Sequence, residues 1–146
     1  MEICTIGFTQ KGAARFFGLL REARIERLAD IRLNNTSQLA GFARRDDLEF
    51  FLREICGADY VHLPLLAPTA EILDAYRKNK GDWDTYERQF LDLMASRQIQ
   101  KNMEPGWFLK RTVLLCSEHT PDHCHRRLVA EYLRDRWGNV EIVHLV

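Results

Sequence analysis

The stretch RTVLLCSEHTPDHCHRRLVAEYLRDRWG, residues 111–138, decides the fold class. Its first six residues, RTVLLC, contain the run TVLL, rich in branched side chains, which is typical of a buried β-strand. Thr120 and Pro121 then favour the N-cap and the first position of a helix, because hydroxyls and proline are preferred there. Gly138 favours the end of that helix. The stretch therefore predicts a strand, a short loop and a helix, which is the unit that builds α/β domains.

The same alternation continues on both sides of this stretch. Because helices between consecutive strands imply a mostly parallel sheet, the pattern predicts helices on both faces of such a sheet. We therefore expect an α/β fold, with one three-layer domain over residues 1–146 and a mostly parallel sheet of about five strands. The other strand-like runs are EICTIGF (2–8), RLADIRL (27–33), YVHLPLL (60–66) and VEIVHLV (140–146), and helical periodicity covers 11–23, 48–55 and 83–94, with Thr69 as the cap of a further short helix.

The composition is that of a globular protein with balanced charge. The chain has 146 residues, 46% of them hydrophobic, and its 21 basic residues balance 21 acidic ones, which does not suggest a globally basic nucleic-acid binder. No apolar run reaches the length of a membrane span, and the N-terminus lacks the pattern of a signal peptide. We therefore expect a cytoplasmic protein with no membrane partner. Its four cysteines, Cys4, Cys56, Cys116 and Cys124, should then stay reduced.

Polar side chains gather at the carboxyl ends of the predicted strands. In open parallel sheets, ligands bind beyond these ends, so four strands would bring the polar groups to one polar rim. The groups are Thr9 and Gln10 after the first strand, Asp30 and Arg32 in the second and Asn34, Asn35, Thr36, Ser37 and Gln38 after it, Tyr60 and His62 in the third, and Cys116, Ser117 and Glu118 at the fourth.

Four segments closely resemble a known family, the domain of unknown function 488 (DUF488). They are TIGFT (5–9), LADIRLNNTSQLAGFARRDDL (28–48), YVHLPLLAPT (60–69) and LLCSEHTPDHCHRRLVAEYL (114–133), and together they cover nearly the whole chain. The resemblance implies an α/β domain whose biochemical role is not established, and it supports a site without naming a reaction. The family motifs, including the Cys-His-Arg motif at its end, map onto Gly7, Asp30, Arg32, His62, Cys116, Glu118, Cys124, His125 and Arg126.

A metal site is one interpretation of the cysteine and histidine cluster. If a metal is bound, Cys116, Cys124 and His125 would be its ligands, with His119 or His123 as a possible fourth. The spacing argues against zinc, because no C-x-x-C pair is present. Adjacent residues on a helix also point about 100° apart, which would separate Cys124 from His125. We therefore expect no cofactor and no stoichiometric zinc.

A reactive thiol is a second interpretation. Cys116 ends a strand before a predicted helix N-terminus, where a thiol pKa can be lowered, as in rhodaneses and cysteine phosphatases. However, Asp122 stands where those enzymes place an arginine, and Glu118 would oppose formation of a thiolate. Cys116 could equally be a small buried side chain that fills the core.

An anion-binding pocket is the third interpretation and the one we favour. Arg32 and Arg126 offer planar forks for phosphate, while Asp30, His62 and Glu118 could perform acid–base chemistry. The alternative for the same residues is a buried ion pair, Asp30–Arg32 or Glu118–Arg126, that only fixes loops.

These residues lead to a functional hypothesis. We expect an enzyme that acts on a phosphate-bearing substrate, either a nucleotide or a nucleic acid. The expected catalytic residues are Asp30, His62, Glu118 and Cys116, and the expected substrate-binding residues are Arg32, Asn34, Asn35, Thr9 and Arg126. One alternative is a non-catalytic ligand-binding or regulatory module with a structural Cys/His cluster. Another is Cys116-dependent chemistry of the rhodanese or phosphatase kind.

Overall fold

A computed structural model describes residues 1–36 and 41–146 and contains a sheet of five parallel strands. Their order across the sheet is β3-β2-β4-β1-β5, and all four pairings are parallel. This architecture confirms the expected α/β class. The strands are β1 (Glu2–Gly7), β2 (Arg27–Asp30), β3 (Asp59–His62), β4 (Thr112–Cys116) and β5 (Glu141–Leu145).

Helices cover both faces of the sheet and separate two hydrophobic clusters. One cluster joins one face of the sheet to α1 (Ala13–Glu22), α2 (Arg45–Phe51) and the π-helical turn Leu52–Cys56 that continues α2. The other cluster joins the opposite face to α3 (Ala70–Arg77), α4 (Trp83–Ser96), α5 (Ile99–Asn102) and α6 (His125–Trp137). None of the helices in residues 1–36 and 41–146 is long and apolar enough to cross a membrane.

Strand β4 is the centre of the sheet, and its sequence TVLLC explains why. All five of its residues are buried, because the strand is covered on both faces and paired along both edges. Successive side chains of a strand alternate between faces. Leu114 and Cys116 accordingly join the cluster under α6, while Val113 and Leu115 join the cluster under α1. A continuous apolar run is therefore the correct pattern for this position.

Two of the predicted helix boundaries are confirmed. The Thr69 hydroxyl accepts a hydrogen bond from the Ile72 backbone N–H at 3.3 Å, as expected of the N-cap of α3. At the end of α6, Gly138 is the C-cap residue with φ of 68°, a left-handed conformation that glycine adopts without strain.

The predicted start of the last helix is wrong. Helix α6 begins at His125 with Cys124 as its N-cap, not at Pro121 after a Thr120 cap. In a helix starting at Pro121, the first carbonyl groups would accept hydrogen bonds from N–H groups four residues later. Instead, the Arg127 guanidinium donates to the carbonyl oxygens of Pro121 and Asp122 at 3.3 and 3.1 Å. Residues 117–124 are therefore a loop, which is longer than the sequence suggested.

The connections between strands create a crevice at the carboxyl end of β4. The chain passes from β1 to β2 and on to β3 toward one edge of the sheet, along the face of α1 and α2. It then passes from β3 to β4 and on to β5 toward the other edge, along the opposite face. Ligands of open α/β sheets bind where the connections diverge in this way. The loops that follow β1, β2 and β4 therefore frame the expected site.

A glycine is required at position 7, the last residue of β1, because the backbone of the loop after β4 passes very close to it. A Cβ atom at this position would lie 1.5 Å from the carbonyl oxygen of Glu118, which belongs to the backbone and cannot turn aside. We expect Gly7→Ala to lower the free energy of unfolding by about 1–3 kcal/mol or more, since overpacking strains the backbone. Gly18→Ala is the matched control: Gly18 lies inside α1, its Cβ would meet nothing within 4 Å, and the change should stabilise by about 0.4–1 kcal/mol.

Urea denaturation of both variants measures the two effects. Equal stability of Gly7→Ala and the parent protein would contradict the close approach.

Candidate functional site

A buried ion pair lies directly after β2. The Arg32 guanidinium donates from Nε and Nη2 to the two carboxylate oxygens of Asp30, at 2.8 and 2.7 Å, and the Arg32 backbone N–H adds a third bond at 3.2 Å. Asp30 is fully buried and Arg32 is 3% exposed. A two-armed bond of this kind fixes the guanidinium plane, because arginine and carboxylate match in geometry.

Tyr60 and His62 of β3, together with Asn35, make further hydrogen bonds around this ion pair. The Tyr60 hydroxyl donates to Asp30 Oδ2 at 2.6 Å and accepts from the Asn35 side-chain amide at 3.1 Å. Burial, together with this bond to the carboxylate, raises the pKa of Tyr60. His62 Nε2 donates to the Arg32 carbonyl oxygen at 3.0 Å. Asp30 and His62 therefore hold Arg32 in place, and Tyr60 and Asn35 in turn support Asp30.

A cavity of about 220 Å³ opens beside Arg32, which we call the Arg32 cavity. Nη1 of Arg32 is buried and has no hydrogen-bond partner in the described part of the chain. Arg77, at the end of α3, also lines the cavity and pairs with the Glu118 carboxylate at 3.0 Å. This ion pair is about half exposed, so the Arg77 side chain is accessible to a ligand. The full lining is Arg32, Leu33, Asn34, Pro68, Leu73, Arg77, Ser117 and His125.

Arg126 supports the loop after β4 and is not placed to clamp a ligand. It is fully buried, and its guanidinium donates to the carbonyl oxygens of Glu118 and His119, at 2.6 and 3.4 Å, and to the Thr5 hydroxyl at 3.3 Å. Burial lowers the pKa of Arg126 to about 10. The role of anion clamp expected for Arg126 is therefore a misassignment, because its donors are used by the backbone of the loop.

The expectation that all these residues share one site is also wrong. Tyr60 packs in the cluster of α1 and α2, and by the alternation of β3 His62 projects to the same face. Arg126 lies on the opposite face, where α6 packs on β1. Thr9 is likewise outside the Arg32 cavity, and both its N–H and its hydroxyl donate to the Ser117 carbonyl oxygen. Ser37 and Gln38, which the sequence added to the polar rim, lie outside the described residues.

The two cysteines of the last motif are joined to each other. Cys116 and Cys124 form a disulfide, and both are buried. This corrects the expectation that all four cysteines are reduced thiols, which holds only for Cys4 and Cys56. In the disulfide state, Cys116 has no thiolate to act as the nucleophile of a rhodanese or phosphatase.

His125 lies between the disulfide and the Arg32 cavity. Its Nε2 donates to the Ile31 carbonyl oxygen at 2.7 Å, which leaves Nδ1 with its lone pair. Burial lowers the pKa of His125 to about 4, against the opposing effect of that hydrogen bond, so the imidazole is neutral near pH 7. The ligand atoms of Cys116, Cys124 and His125 all lie within 4.8 Å of one another.

The geometric argument against a metal at these three residues is corrected here. It assumed that Cys124 and His125 are neighbours on a helix, pointing about 100° apart. Cys124 is in fact the N-cap with extended backbone angles, so the two side chains can converge.

Comparison with known proteins identifies the family of this chain. The family model described as "Domain of unknown function DUF488" matches residues 12–133. The chain belongs to the DUF488 family. No curated protein and no solved structure matches the chain. The family resemblance read from the sequence is thereby confirmed, and the activity of this DUF488 domain has to be inferred from its own residues.

The sequence identified Arg32, Asn34 and Ser117 but missed the second arginine of the cavity. Arg77 lies at the end of a surface helix, in the segment YRKNKG, and looks there like one cation among several on a solvated face. Its position beside Arg32 follows from the packing of α3 across the sheet. Asp30, His62 and Glu118 were correctly placed near strand ends, but only Glu118 reaches the cavity, through its ion pair with Arg77.

Replacing Arg126 should destabilise the fold. Arg126→Met removes a charged donor from two partly buried carbonyl groups, and we expect a loss of about 2–4 kcal/mol in the free energy of unfolding, since each unsatisfied group costs about 1–3 kcal/mol. Arg88→Met, at an exposed position of α4, is the control and should change stability by less than about 0.5 kcal/mol. Urea denaturation measures both, and a stable Arg126→Met variant would mean that the loop does not depend on this guanidinium.

Proposed function

We propose that the protein is an enzyme that binds a small phosphate-bearing molecule of the nucleotide class in the Arg32 cavity. The observation that carries this proposal is the cavity lined by Arg32 and Arg77, together with the buried Nη1 of Arg32, a charged donor without a partner among the described residues. A buried donor left unpaired costs free energy that an anionic oxygen would recover. The rest of the guanidinium is already fixed by Asp30, so a ligand meets a preorganised group.

The charge and shape of the cavity favour phosphate as the bound group. Asp30 neutralises most of the charge of Arg32, and Arg77 therefore supplies the remaining positive charge from the opposite wall. A phosphate has three acceptor oxygens, which suits two arginines together with a side-chain amide and a hydroxyl, those of Asn34 and Ser117. A cavity of about 220 Å³ accommodates a phosphate group and part of its ester, and the zero net charge of the chain favours a small ligand over a nucleic acid.

Glu118 is the acid–base group that this cavity offers. Its side chain is 47% exposed and pairs with Arg77, so a phosphate that binds Arg77 displaces the Glu118 carboxylate next to the ligand. Asp30 and His62, by contrast, are fully engaged in positioning Arg32. We assign them positioning roles in place of the acid–base roles expected from sequence.

A non-catalytic binding module is the second candidate. The observation in its favour is that three of the four expected catalytic residues are occupied: Asp30 by Arg32, His62 by a carbonyl group, and Cys116 by Cys124. Binding without turnover would distinguish this candidate from the enzyme.

Calorimetric titration with inorganic phosphate, nucleoside monophosphates and nucleoside triphosphates tests the cavity. Arg77→Gln should weaken binding about tenfold or more, because a charge-assisted hydrogen bond contributes about 1.5–3 kcal/mol. Arg32→Lys keeps a positive charge opposite Asp30 but removes the second arm of the fork, and it should weaken binding to a similar extent. Arg53→Gln is the control, since Arg53 is 63% exposed on the opposite face and should leave binding unchanged.

A substitution at Glu118 separates binding from turnover, because it should change the two in opposite directions. Glu118→Gln removes the carboxylate that competes for Arg77, so phosphate should bind more tightly, while any turnover of a phosphate ester should fall. Unchanged binding in both Arg77→Gln and Arg32→Lys would refute the cavity as a phosphate site. Tighter binding in Glu118→Gln without turnover in the parent protein would favour the binding module.

A further inference from the structure

Cys116, Cys124 and His125 bring together the ligand atoms that zinc prefers. Two sulfur atoms and one imidazole nitrogen lie within 4.8 Å of one another, and all three residues are buried. Sulfur and imidazole are the usual zinc ligands, and metal-bound ligand atoms stand at comparable separations around one ion. Cys116 is held by the central strand and His125 by the first turn of α6, so the cluster rests on the rigid part of the fold.

His125 is oriented as metal-binding histidines are. Its Nε2 hydrogen is donated to the Ile31 carbonyl oxygen, which fixes the ring and its tautomer and leaves Nδ1 as the nitrogen with a lone pair. Histidines that bind a metal usually donate their other ring N–H to a carbonyl or carboxylate in this way. This contact is independent of the two cysteines and points to a ligand on the other side of the ring.

The backbone spacing of the two cysteines also suits separate thiolates. Their Cα atoms are 7.2 Å apart, beyond the separation of about 4.4–6.8 Å that most disulfides have. Two thiolates on one ion do not need the shorter spacing. Cys124 is the N-cap residue of the 13-residue helix α6, and its side chain makes no capping hydrogen bond.

We propose that, when the Cys116–Cys124 disulfide is reduced, these two cysteines and His125 form a binding site for a zinc-type divalent cation. Reduction takes two electrons and two protons from a cellular dithiol, which is itself oxidised to a disulfide, and it yields two Cys thiols. The cation then binds two thiolates and Nδ1 of His125, and the two thiol protons are released to solvent. The disulfide and the metal-bound state exclude each other.

The site has three protein ligands, so a water molecule or another ligand takes the fourth position. Within residues 1–36 and 41–146, no fourth Cys, His, Asp or Glu ligand atom joins the group. Nδ1 of His119 lies 3.2 Å from both Lys11 Nζ and the Thr9 carbonyl oxygen, so it either accepts from the first or donates to the second, and the His123 ring stacks on Trp83 at 4.9 Å. Three protein ligands with one exchangeable position are typical of catalytic zinc sites, whereas structural sites have four. This inference does not depend on the proposed phosphate site.

Titration with Co²⁺, followed by displacement with Zn²⁺, tests the site. Protein reduced with dithiothreitol and then freed of it under nitrogen should take up one Co²⁺ per chain, with thiolate-to-cobalt charge-transfer bands and the visible bands of a tetrahedral site. Zn²⁺ should remove these bands, and the oxidised protein should show none of them. Cys116→Ser, Cys124→Ser and His125→Ala should lose the spectrum, while the controls Cys4→Ala and Cys56→Ala, which change the two cysteines outside the cluster, should keep it.

Arg77→Gln should keep the cobalt spectrum, which separates this test from that of the phosphate site. X-ray absorption at the zinc edge of the wild-type protein gives a readout that needs no variant, and we expect two sulfur neighbours at about 2.3 Å with nitrogen or oxygen completing the shell. No metal uptake by the reduced protein, a spectrum that survives in Cys116→Ser and Cys124→Ser, or a zinc shell without sulfur would each overturn the proposal.

Discussion

The loop after β4 packs so closely on the end of β1 that the Glu118 carbonyl group occupies the space of a side chain at Gly7, and the buried Arg126 guanidinium holds it there. This contact joins two neighbouring strands, β1 and β4, whose onward connections cover opposite faces of the sheet. It also fixes where the loop leaves Cys116 and where it rejoins α6. The positions of Ser117, Cys124 and His125 all follow from it. A buried arginine is costly to bring out of water, and the hydrogen bonds from its guanidinium to the loop carbonyl groups offset that cost.

The fold could be predicted from the sequence because local and global preferences agree over most of the chain. The run TVLLC is apolar after its first residue, as a strand covered on both faces requires, and Thr69 and Gly138 mark the helix ends that the structure has. The agreement fails at Thr120 and Pro121, where a good capping sequence is not used. The Arg127 side chain, from the helix that follows, donates hydrogen bonds to the carbonyl groups of Pro121 and Asp122, with which that helix would begin. This contact depends on how the loop packs, so local sequence preferences do not reveal it.

The candidate site could be predicted in outline only. The polar groups at strand ends were correctly singled out, since the topology of a parallel sheet brings these ends together. Which of them meet depends on the face to which each side chain projects and on the helix that covers that face. Arg126 and His62 therefore lie on different faces of the sheet although both belong to the predicted set. Arg77 lines the cavity together with Arg32, although it is 41 residues away in sequence from its ion-pair partner Glu118. The Asp30–Arg32 pair shows a further limit of prediction from sequence. The Arg32 guanidinium both forms the ion pair with Asp30 and carries Nη1, the donor proposed to bind a ligand, and the sequence does not separate these two roles.

His125 lines the Arg32 cavity and is also the immediate neighbour of the Cys116–Cys124 pair, so one imidazole belongs to two chemical environments. Its ring is tied to the Ile31 carbonyl group, next to Arg32 in the chain, and can move only together with that segment. Any change in the sulfur pair that shifts the ring also changes the wall that a ligand in the cavity meets. Thermodynamic linkage makes such an effect reciprocal: the factor by which oxidation alters ligand affinity equals the factor by which the ligand alters the equilibrium between dithiol and disulfide. If the proposed ligand binds in the cavity, its binding and the redox state of the cysteine pair are therefore linked through this single ring.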